Sequence, residues 1–403
     1  MERLYDKLKA YSESDFYAFH MPGHKRNKTL LGIELPYDLD ITEIDGFDDL
    51  HHADGILKEE QERAARVFGA EESHFLVNGS TAGILSAVMG CTHRGDKILV
   101  ARHCHKSIYH AIYMNGLVPR YVYPEFDISM HMNGEISKED VAKALAAEPD
   151  IKAVVIVSPN YDGVVSDVKG IAEVAHSYRI PLIVDEAHGP HFGFHPAFPG
   201  RANDLGADVV INSLHKTLPS LTQTAILHIN GKLANRRRIK KYLDMLQSSS
   251  PSYIFMASLD ACVDFLDGKC ENAFELYVER LQKFREELEP LQHLQILRTE
   301  HYDISKVVIS TANANITSPE LADRLRKEYH LEMEMTGGTY VLAMTTVADT
   351  QEGLDRLKSA LLEIDGQLEA KTAVSGSIEI SGELPRLEQY FTPQEAADRE
   401  EDG

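Results

Sequence analysis

Length, composition and charge limit the classes of protein to which this chain can belong. Its 403 residues, 43% of them apolar, suffice for one large and one smaller domain, each with its own core, and its net charge of −22 argues against nucleic acid and anionic membranes as partners. Because the sequence has neither a signal peptide nor an apolar stretch of about 18 residues, a cytoplasmic protein without a membrane span is expected.

The first two predicted regions are an N-terminal arm, residues 1–55, and a large domain, residues 56–251. In the large domain, short apolar runs alternate with helix-like stretches between about residues 74 and 229. The runs are HFLVN, KILVAR, AVVIVSP, IPLIVDEAH and ADVVINSLHK. This alternation predicts an α/β fold with a mostly parallel sheet that helices cover.

The C-terminal part of the chain is predicted to form a smaller α+β domain. Residues 252–370 begin with one long periodic stretch, from about Ser252 to Leu288, that indicates a linker helix. The runs LQILRTE, KVVISTA and YVLAMTT follow, with a helix between the last two. Residues 371–403 are polar and acidic, which is typical of a frayed tail.

Polar side chains collect where the predicted strands of the large domain end. They are Asn78, His105, Asn160, Asp185 and the segment from Ser213 to Lys216. In parallel sheets ligands bind beyond the carboxyl ends of the strands. We therefore expect a site that is assembled from several strand ends.

Lys216 and Asp185 have the residue types that pyridoxal-phosphate chemistry requires. A lysine in a desolvated pocket can form a Schiff base with an aldehyde, and the segment Ser213-Leu214-His215-Lys216 supplies hydroxyl, imidazole and amine together. Asp185 ends an apolar strand, where it can keep a pyridine nitrogen protonated. The small Ala187 leaves room for a flat ring. Taken singly, these two side chains would fit a solvated lysine and a helix cap or ion pair.

The segment from Asn78 to Gly83 follows a predicted strand and opens a helix, so its N–H groups and hydroxyls are suited to a phosphate. It lacks G-x-G-x-x-G and the P-loop lysine, which argues against nicotinamide and ATP. A plain capping turn is the alternative. His105 is placed to stack on a cofactor ring, although a histidine there can equally be structural.

Metal binding is the competing interpretation of the acidic and histidine-rich stretch after the fourth apolar run. Glycines and prolines interrupt any helix that would align its ligands, so no metal is expected. The candidate ligands are Asp185, Glu186, His188, His191 and His195. The four cysteines form no C-x-x-C pair, and we expect reduced thiols.

Seven ordered sequence blocks resemble the major domain of the bacterial ornithine/lysine/arginine decarboxylases, which are fold-type-I pyridoxal-phosphate enzymes. The blocks span residues 20–228. They are HMPGHKRN, DITEIDGFDDLH, FLVNGSTAGI, HCHKS, SPNYDG, VDEAHGPHFGF and SLHKTLPSLTQTAILH. The resemblance implies an aspartate-aminotransferase-like large domain with a mostly parallel, seven-stranded sheet.

The resemblance also implies roles for single residues. Lys216 would hold pyridoxal 5'-phosphate as a Schiff base, Asp185 would face the pyridine nitrogen, His105 would stack on the ring, and His188 would lie near the reacting carbon. The residues implied at the phosphate are Ser80, Thr81, Ser213 and His215. Asn160 and Ala187 complete the predicted cofactor site. The loop QSSSPSY, residues 247–253, would approach the cofactor of a partner subunit in a homodimer.

The expected reaction is decarboxylation of a basic amino acid (lysine, ornithine or arginine) to an amine and CO2, with Lys216 or His188 returning a proton to Cα. An aminotransferase or another pyridoxal-phosphate lyase is the alternative, because the same cofactor serves any bond cleavage at Cα. A non-catalytic cofactor-binding protein is the third possibility.

Two departures from the family pattern bear on assembly and substrate. HMPGH begins at residue 20, where larger relatives have a preceding domain, so a dimer is expected rather than a decamer. The PGE segment that follows in relatives is absent, and the substrate's distal cation needs another carboxylate. We predict Asp48 for this role, from the acidic residues Glu43, Asp45, Asp48 and Asp49.

Overall fold

The computed structural model describes residues 3–127, 131–371 and 390–399. The N-terminal arm contains helix α1 (Leu4–Ser12), whose Leu4 and Leu8 are buried, and a short 3-10 turn at Leu50–His52. Most of the arm between them is irregular.

The large domain alternates strands and helices as predicted. Its elements are α2 (Ile56–Phe68), β1 (Glu72–Leu76), α3 (Gly79–Cys91), β2 (Lys97–Ala101), α4 (Lys106–Asn115), β3 (Val118–Val122), the hairpin β4 (Phe126–Asp127) and β5 (Met132–Asn133), α5 (Lys138–Ala147), β6 (Val154–Val157), α6 (Val168–Ser177), β7 (Leu182–Asp185), β8 (Val209–Asn212), α7 (Leu214–Thr217), β9 (Ala225–Ile229) and α8 (Arg236–Leu246).

Seven of these strands form one sheet in the order β1-β9-β8-β7-β6-β2-β3. Strand β9 pairs antiparallel with both of its neighbours, whereas the pairs among β8, β7, β6, β2 and β3 are all parallel. The prediction of a mostly parallel, seven-stranded sheet is confirmed. Because β-strand side chains alternate between faces, Ile98 and Val100 pack on one side with α3, α4 and α8, and Leu99 packs on the other with α5 and α6.

The predicted single helix from Ser252 to Leu288 is wrong in one respect. The structure has two helices, α9 (Tyr253–Leu266) and α10 (Glu271–Glu287), and the chain turns between them at Gly268, where φ is +74°. A glycine adopts this left-handed conformation without the strain that a β-carbon adds. The linker is therefore a pair of helices.

The small domain contains an antiparallel sheet of order β10-β11-β13-β12. Its elements are β10 (Gln295–Ile296), β11 (Lys306–Ser310), α11 (Ser318–Tyr329), β12 (Met335–Thr336), β13 (Tyr340–Met344) and α12 (Gln351–Asp365). One apolar core joins side chains of α2, β1 and α9 to side chains of β11 and β13. The two domains thus share buried surface.

Part of the predicted tail is ordered into a helix, contrary to the expectation of fraying. In α13 (Pro393–Asp398), Thr392 and Glu395 form a capping box, and the Tyr113 hydroxyl donates to Asp398 Oδ1 over 2.6 Å. Residues 372–389 lie outside the described part of the chain. None of the helices in the described ranges combines the length and apolar composition needed to cross a bilayer.

Candidate active site

The predicted site residues of the large domain lie where strands end or just beyond them. Asp185 is the last residue of β7, and Lys216 lies in the short helix α7 directly after β8. Strands β7 and β8 are parallel neighbours with Asp185 opposite Ile211, so their ends meet at one edge. The expectation that strand ends assemble a site agrees with this topology.

Asp185 is a buried carboxylate, and few hydrogen bonds offset the cost of removing it from water. The N–H group of Ala187 donates to Asp185 Oδ1 over 3.2 Å. Burial raises the pKa of Asp185, and the charge of Lys216 acts in the opposite direction. Since ionised carboxylates are costly to bury alone, this position favours a cationic partner.

Lys216 contacts His188, the histidine that the family resemblance predicts to lie near the reacting carbon. Its Nζ lies 2.9 Å from Nε2 of His188, which is itself buried. Burial, together with the charges of Lys306 and Lys216, lowers the pKa of His188 well below its usual value, so the imidazole is neutral. Burial also lowers the pKa of Lys216, while Asp185 and Glu334 oppose that shift.

Hydroxyl groups and a helix N-terminus lie together at the start of α3. Ser80 Oγ and Ser213 Oγ are 2.5 Å apart. The side chain of Asn78, the N-cap residue, accepts from the N–H of Ser248 over 3.3 Å and does not cap α3. The first N–H groups of this 13-residue helix therefore remain for an anion.

Thr81 is exposed in the first turn of α3. His215 is held by its Nδ1, which donates to the carbonyl oxygen of Thr224 over 2.9 Å. Both residues flank the Ser80–Ser213 pair in sequence. Their contact with a phosphate stays a prediction.

His105 is the N-cap of α4. Its Nδ1 accepts from the N–H of Ser107 over 3.2 Å, and this bond fixes one edge of the ring while the side chain stays exposed. Burial of part of the ring, followed by the charges of Lys216 and Lys106, lowers the pKa of His105. The ring is anchored at one edge, and its stacking on a cofactor stays a prediction.

Asn160 holds a loop together. Its Oδ1 accepts from the N–H groups of Gly163 and Val164 over 3.0 and 2.9 Å, and its Nδ2 donates to the carbonyl oxygen of Asn133 over 2.8 Å. These bonds account for its burial. The predicted cofactor contact of Asn160 has no counterpart among them.

The side chains weighed as metal ligands have other partners. His191 contacts Thr217 Oγ1 and Asp303 Oδ1, over 3.0 and 3.1 Å, and His195 contacts Glu275 Oε2 over 3.0 Å. Buried Glu186 accepts from the N–H of Ala202 over 2.8 Å, and burial raises its pKa to about 8.

The acidic loop does not use Asp48 as predicted. Asp48 Oδ2 accepts from the N–H groups of Gly55 and Leu57 over 2.8 and 2.9 Å, at the start of α2, and Oδ1 accepts from the N–H of Asp54 over 3.0 Å. These bonds occupy both oxygens. Asp48 is a structural cap, and the prediction that it meets a substrate cation is corrected.

Residues of the small domain were missed by the sequence analysis. Lys306 is fully buried at the start of β11, and its Nζ lies 3.0 Å from His188 Nδ1. Glu334 accepts from the Tyr161 hydroxyl, and the Tyr161 ring centroid is 4.7 Å from that of His188. The one sequence signal was a lysine opening an apolar run, KVVIS, which is equally typical of a solvated strand end.

Comparison with known proteins gives the family. The model of the Orn/Lys/Arg decarboxylase major domain matches residues 3–364. The arginine decarboxylase of Bacillus subtilis (strain 168) is 34% identical over 409 residues, which cover 98% of this chain and 83% of that protein.

Solved structures agree in fold. The lysine decarboxylase LdcF of Francisella novicida superposes with a TM-score of 0.78 at 21% identity; the match covers 90% of this chain and 60% of that one. An alanine–glyoxylate aminotransferase from Nostoc sp. has a TM-score of 0.62 at 16% identity, covering 76% and 86%. These likenesses confirm the fold-type-I class, and the match to the family model shows that the chain belongs to the Orn/Lys/Arg decarboxylase family.

Proposed function

We propose that this chain binds pyridoxal 5'-phosphate and uses it to remove the α-carboxylate of a basic amino acid as CO2. One observation carries the proposal: Lys216 and the buried carboxylate Asp185 lie where two neighbouring parallel strands end, and the charge of each shifts the pKa of the other. Family membership supports the decarboxylase reaction over the others that this fold supports.

The residues at this edge fit the cofactor. Asp185 is a buried acid that lacks a side-chain hydrogen bond among the described residues, as expected of a group awaiting the pyridine nitrogen. Ser80, Ser213 and the uncapped N-terminus of α3 offer hydroxyl and N–H donors to a phosphate. His105 offers an anchored, exposed ring for stacking.

When bound, pyridoxal phosphate supplies a sink for the electrons of the bond that is broken at Cα. Lys216 would hold the cofactor covalently, and Asp185 would keep its ring nitrogen protonated. The buried His188, whose Nε2 is 2.9 Å from Lys216 Nζ, would hold a proton beside the reacting carbon. Lys216 is the other candidate to return that proton.

We infer a basic substrate partly from Glu334. The charge of this exposed carboxylate raises the pKa of both Lys216 and Lys306, and Tyr161 orients the carboxylate by a hydrogen bond. A distal ammonium or guanidinium group needs such a partner once it leaves water. The arginine decarboxylase of Bacillus subtilis supports the same substrate class.

We also propose that the chain forms a homodimer through its N-terminal arm. Large apolar side chains are exposed along the arm, with Phe19 at 89%, Leu30 at 76% and Tyr17 at 69% of full exposure. Large apolar side chains exposed in one segment of the chain are typical of an interaction site. Light scattering of the purified chain should give twice the monomer mass, and Phe19→Asp combined with Leu30→Asp should shift the mass toward the monomer.

The experiment that tests the function has two parts. Borohydride reduction of the chain with pyridoxal phosphate, followed by peptide mapping, should find the adduct on Lys216. Incubation with a mixture of the twenty amino acids should release CO2 and one amine from lysine, ornithine or arginine. An adduct on another lysine would contradict the cofactor site, and a keto acid without CO2 would make the chain an aminotransferase.

A further inference from the structure

Lys306 reaches the proposed site from the small domain and has no role in the reaction as described so far. Its side chain has no exposed surface, and its stem passes against Gly163, where a β-carbon would lie 2.7 Å from Lys306 Cγ. At Gly163 φ is +107°, a conformation that also favours glycine. The loop that Asn160 holds thus makes room for this lysine.

Two lysines contact one imidazole. Lys216 Nζ is 2.9 Å from His188 Nε2, and Lys306 Nζ is 3.0 Å from His188 Nδ1. A neutral imidazole has one N–H donor and one acceptor nitrogen, so one amine donates to it and the other must accept. In every arrangement in which both hydrogen bonds form, the three groups together carry at most one positive charge, because at least one amine must be neutral to accept.

Acidic groups around Lys306 favour the positive charge on Lys306 rather than on Lys216. Burial lowers the pKa of Lys306 to about 8, while Asp303, Glu334 and Asp162 act against this shift. Asp162 accepts from the Tyr340 hydroxyl over 2.5 Å, and Asp303 accepts from Ser305 Oγ over 2.7 Å. Lys306 is thereby able to hold a proton or release it near neutral pH.

The other titratable groups that face this unit belong to both domains and to helix α10. Asp185 and Glu334 raise the pKa of Lys216, and His105 and His215 lower the pKa of His188. The guanidinium of Arg285, in α10, and the Tyr302 hydroxyl both donate to the carbonyl oxygen of Lys306, over 2.9 and 3.0 Å. Neither contacts the amine, so His188 is the route from Lys306 to Lys216.

We propose that Lys306 is a positioning residue that, acting through His188, takes up the proton that Lys216 must lose before its amine reacts with an aldehyde. The N–H bond of Lys216 breaks as an Nε2–H bond forms on His188, and the Nδ1–H bond of His188 breaks as an N–H bond forms on Lys306. The number of protons does not change. The proposal rests on the proposed function only in taking Lys216 as the reacting amine.

The test measures the protonation of Lys216 in the full chain freed of pyridoxal phosphate. Trace labelling with acetic anhydride across a pH series, read by peptide mass, gives the pH at which half of Lys216 reacts. Lys306→Met should raise this midpoint by about one unit, equivalent to a tenfold loss of free amine at lower pH. Lys306→Arg keeps a cation beside Nδ1 and should hold the midpoint at or below that of the wild type.

Two further variants separate the proposed role from a structural one. Lys327→Met, an exposed lysine of the same domain, should leave the midpoint unchanged. In a His188→Phe background the route is cut, so adding Lys306→Met should move the midpoint by less than about 0.3 unit. An unchanged midpoint in Lys306→Met, or an equal shift with and without His188, would overturn the proposal.

The same labelling distinguishes failure of this proposal from failure of the proposed function. The labelling experiment requires neither bound cofactor nor turnover. A chain that takes up no pyridoxal phosphate but shows the Lys306→Met shift would keep the coupling and refute the proposed function. A chain that binds the cofactor on Lys216 and lacks the shift would keep the proposed function and refute the coupling.

Discussion

The large and the small domain contribute different kinds of group to the proposed site. The large domain supplies side chains that would touch the cofactor, and each follows a strand end, as Asp185 and Lys216 do. The small domain supplies charges behind and beside them, from Lys306 buried in β11 and Glu334 exposed before β12. We conclude that one domain would hold the reacting groups and the other would set their charge.

The proposed division of roles between the two domains is tested most directly at Asp185. Asp185→Asn should leave pyridoxal phosphate bound but lower kcat by about 10²- to 10³-fold, since the ring nitrogen loses its anionic partner. Absorbance of the bound cofactor and steady-state kinetics measure the two effects. Asp204→Asn, an exposed aspartate of the same domain, is the matched control. A loss below about threefold would mean that another group holds the nitrogen.

The contact between the domains is tested at Asp303. Asp303→Ala removes the partner of buried His191, and breaking a buried pair of this kind costs about 3 kcal/mol of stability. Urea denaturation should show this loss, while Asp323→Ala, exposed on α11, should cost less than about 0.5 kcal/mol. Equal stability of the two variants would mean that the small domain docks without this pair.

The charge contributed to the substrate is tested at Glu334. Glu334→Gln should raise KM for lysine, ornithine or arginine by about tenfold, or roughly 1.4 kcal/mol, with a smaller effect on kcat. Glu332→Gln, two residues away and exposed, is the control. If both variants behave alike, the distal cation is bound elsewhere.

The smallest effect is expected at Asp48, where the structure replaces a substrate role with a cap. Asp48→Ala should lower the free energy of unfolding by about 1 kcal/mol and leave KM unchanged. Burial alone would raise the pKa of Asp48, but the backbone N–H bonds outweigh it and lower the pKa below its ordinary 3.8. The stabilisation is therefore present above pH 3.8 and is lost as the pH falls through the lower folded-state value.

A comparison of thermal unfolding above and below this range, in the wild type and in Asp48→Ala, checks the direction. The two proteins should differ at neutral pH and converge in acid. A tenfold rise in KM for a basic amino acid in Asp48→Ala would restore the substrate role.

Sequence reasoning predicted the parts of the fold that rest on local pattern. A buried strand of Val, Ile and Leu that ends in polar residues is recognisable in the sequence. Asp185 and Lys216 were found in this way. Lys306 does not, because a lysine that opens an apolar strand becomes buried only when the two domains dock. Asp48 failed for a similar reason, since an acidic turn and a helix cap have the same composition until the N–H groups of α2 are positioned.

The break between α9 and α10 was also missed, because apolar periodicity continues across Gly268 and only the turn of the chain reveals it. In α13 the capping pair Thr392 and Glu395 was visible in the sequence, yet the acidic composition of residues 371–403 favoured a tail. Composition averages over a segment, whereas a cap depends on two residues.

The chain of contacts from Thr217 through His191 to Asp303 has a consequence for the order in which the protein is made. Domains fold as units during synthesis, the N-terminal one first. Lys216 and Asp185 leave the ribosome well before Asp303 and Lys306, so a nascent large domain has the proposed cofactor lysine before Lys306 and its acidic neighbours exist. The proposed site is complete only when β11 docks beside His191, and we expect that docking step to set the time at which the enzyme becomes active.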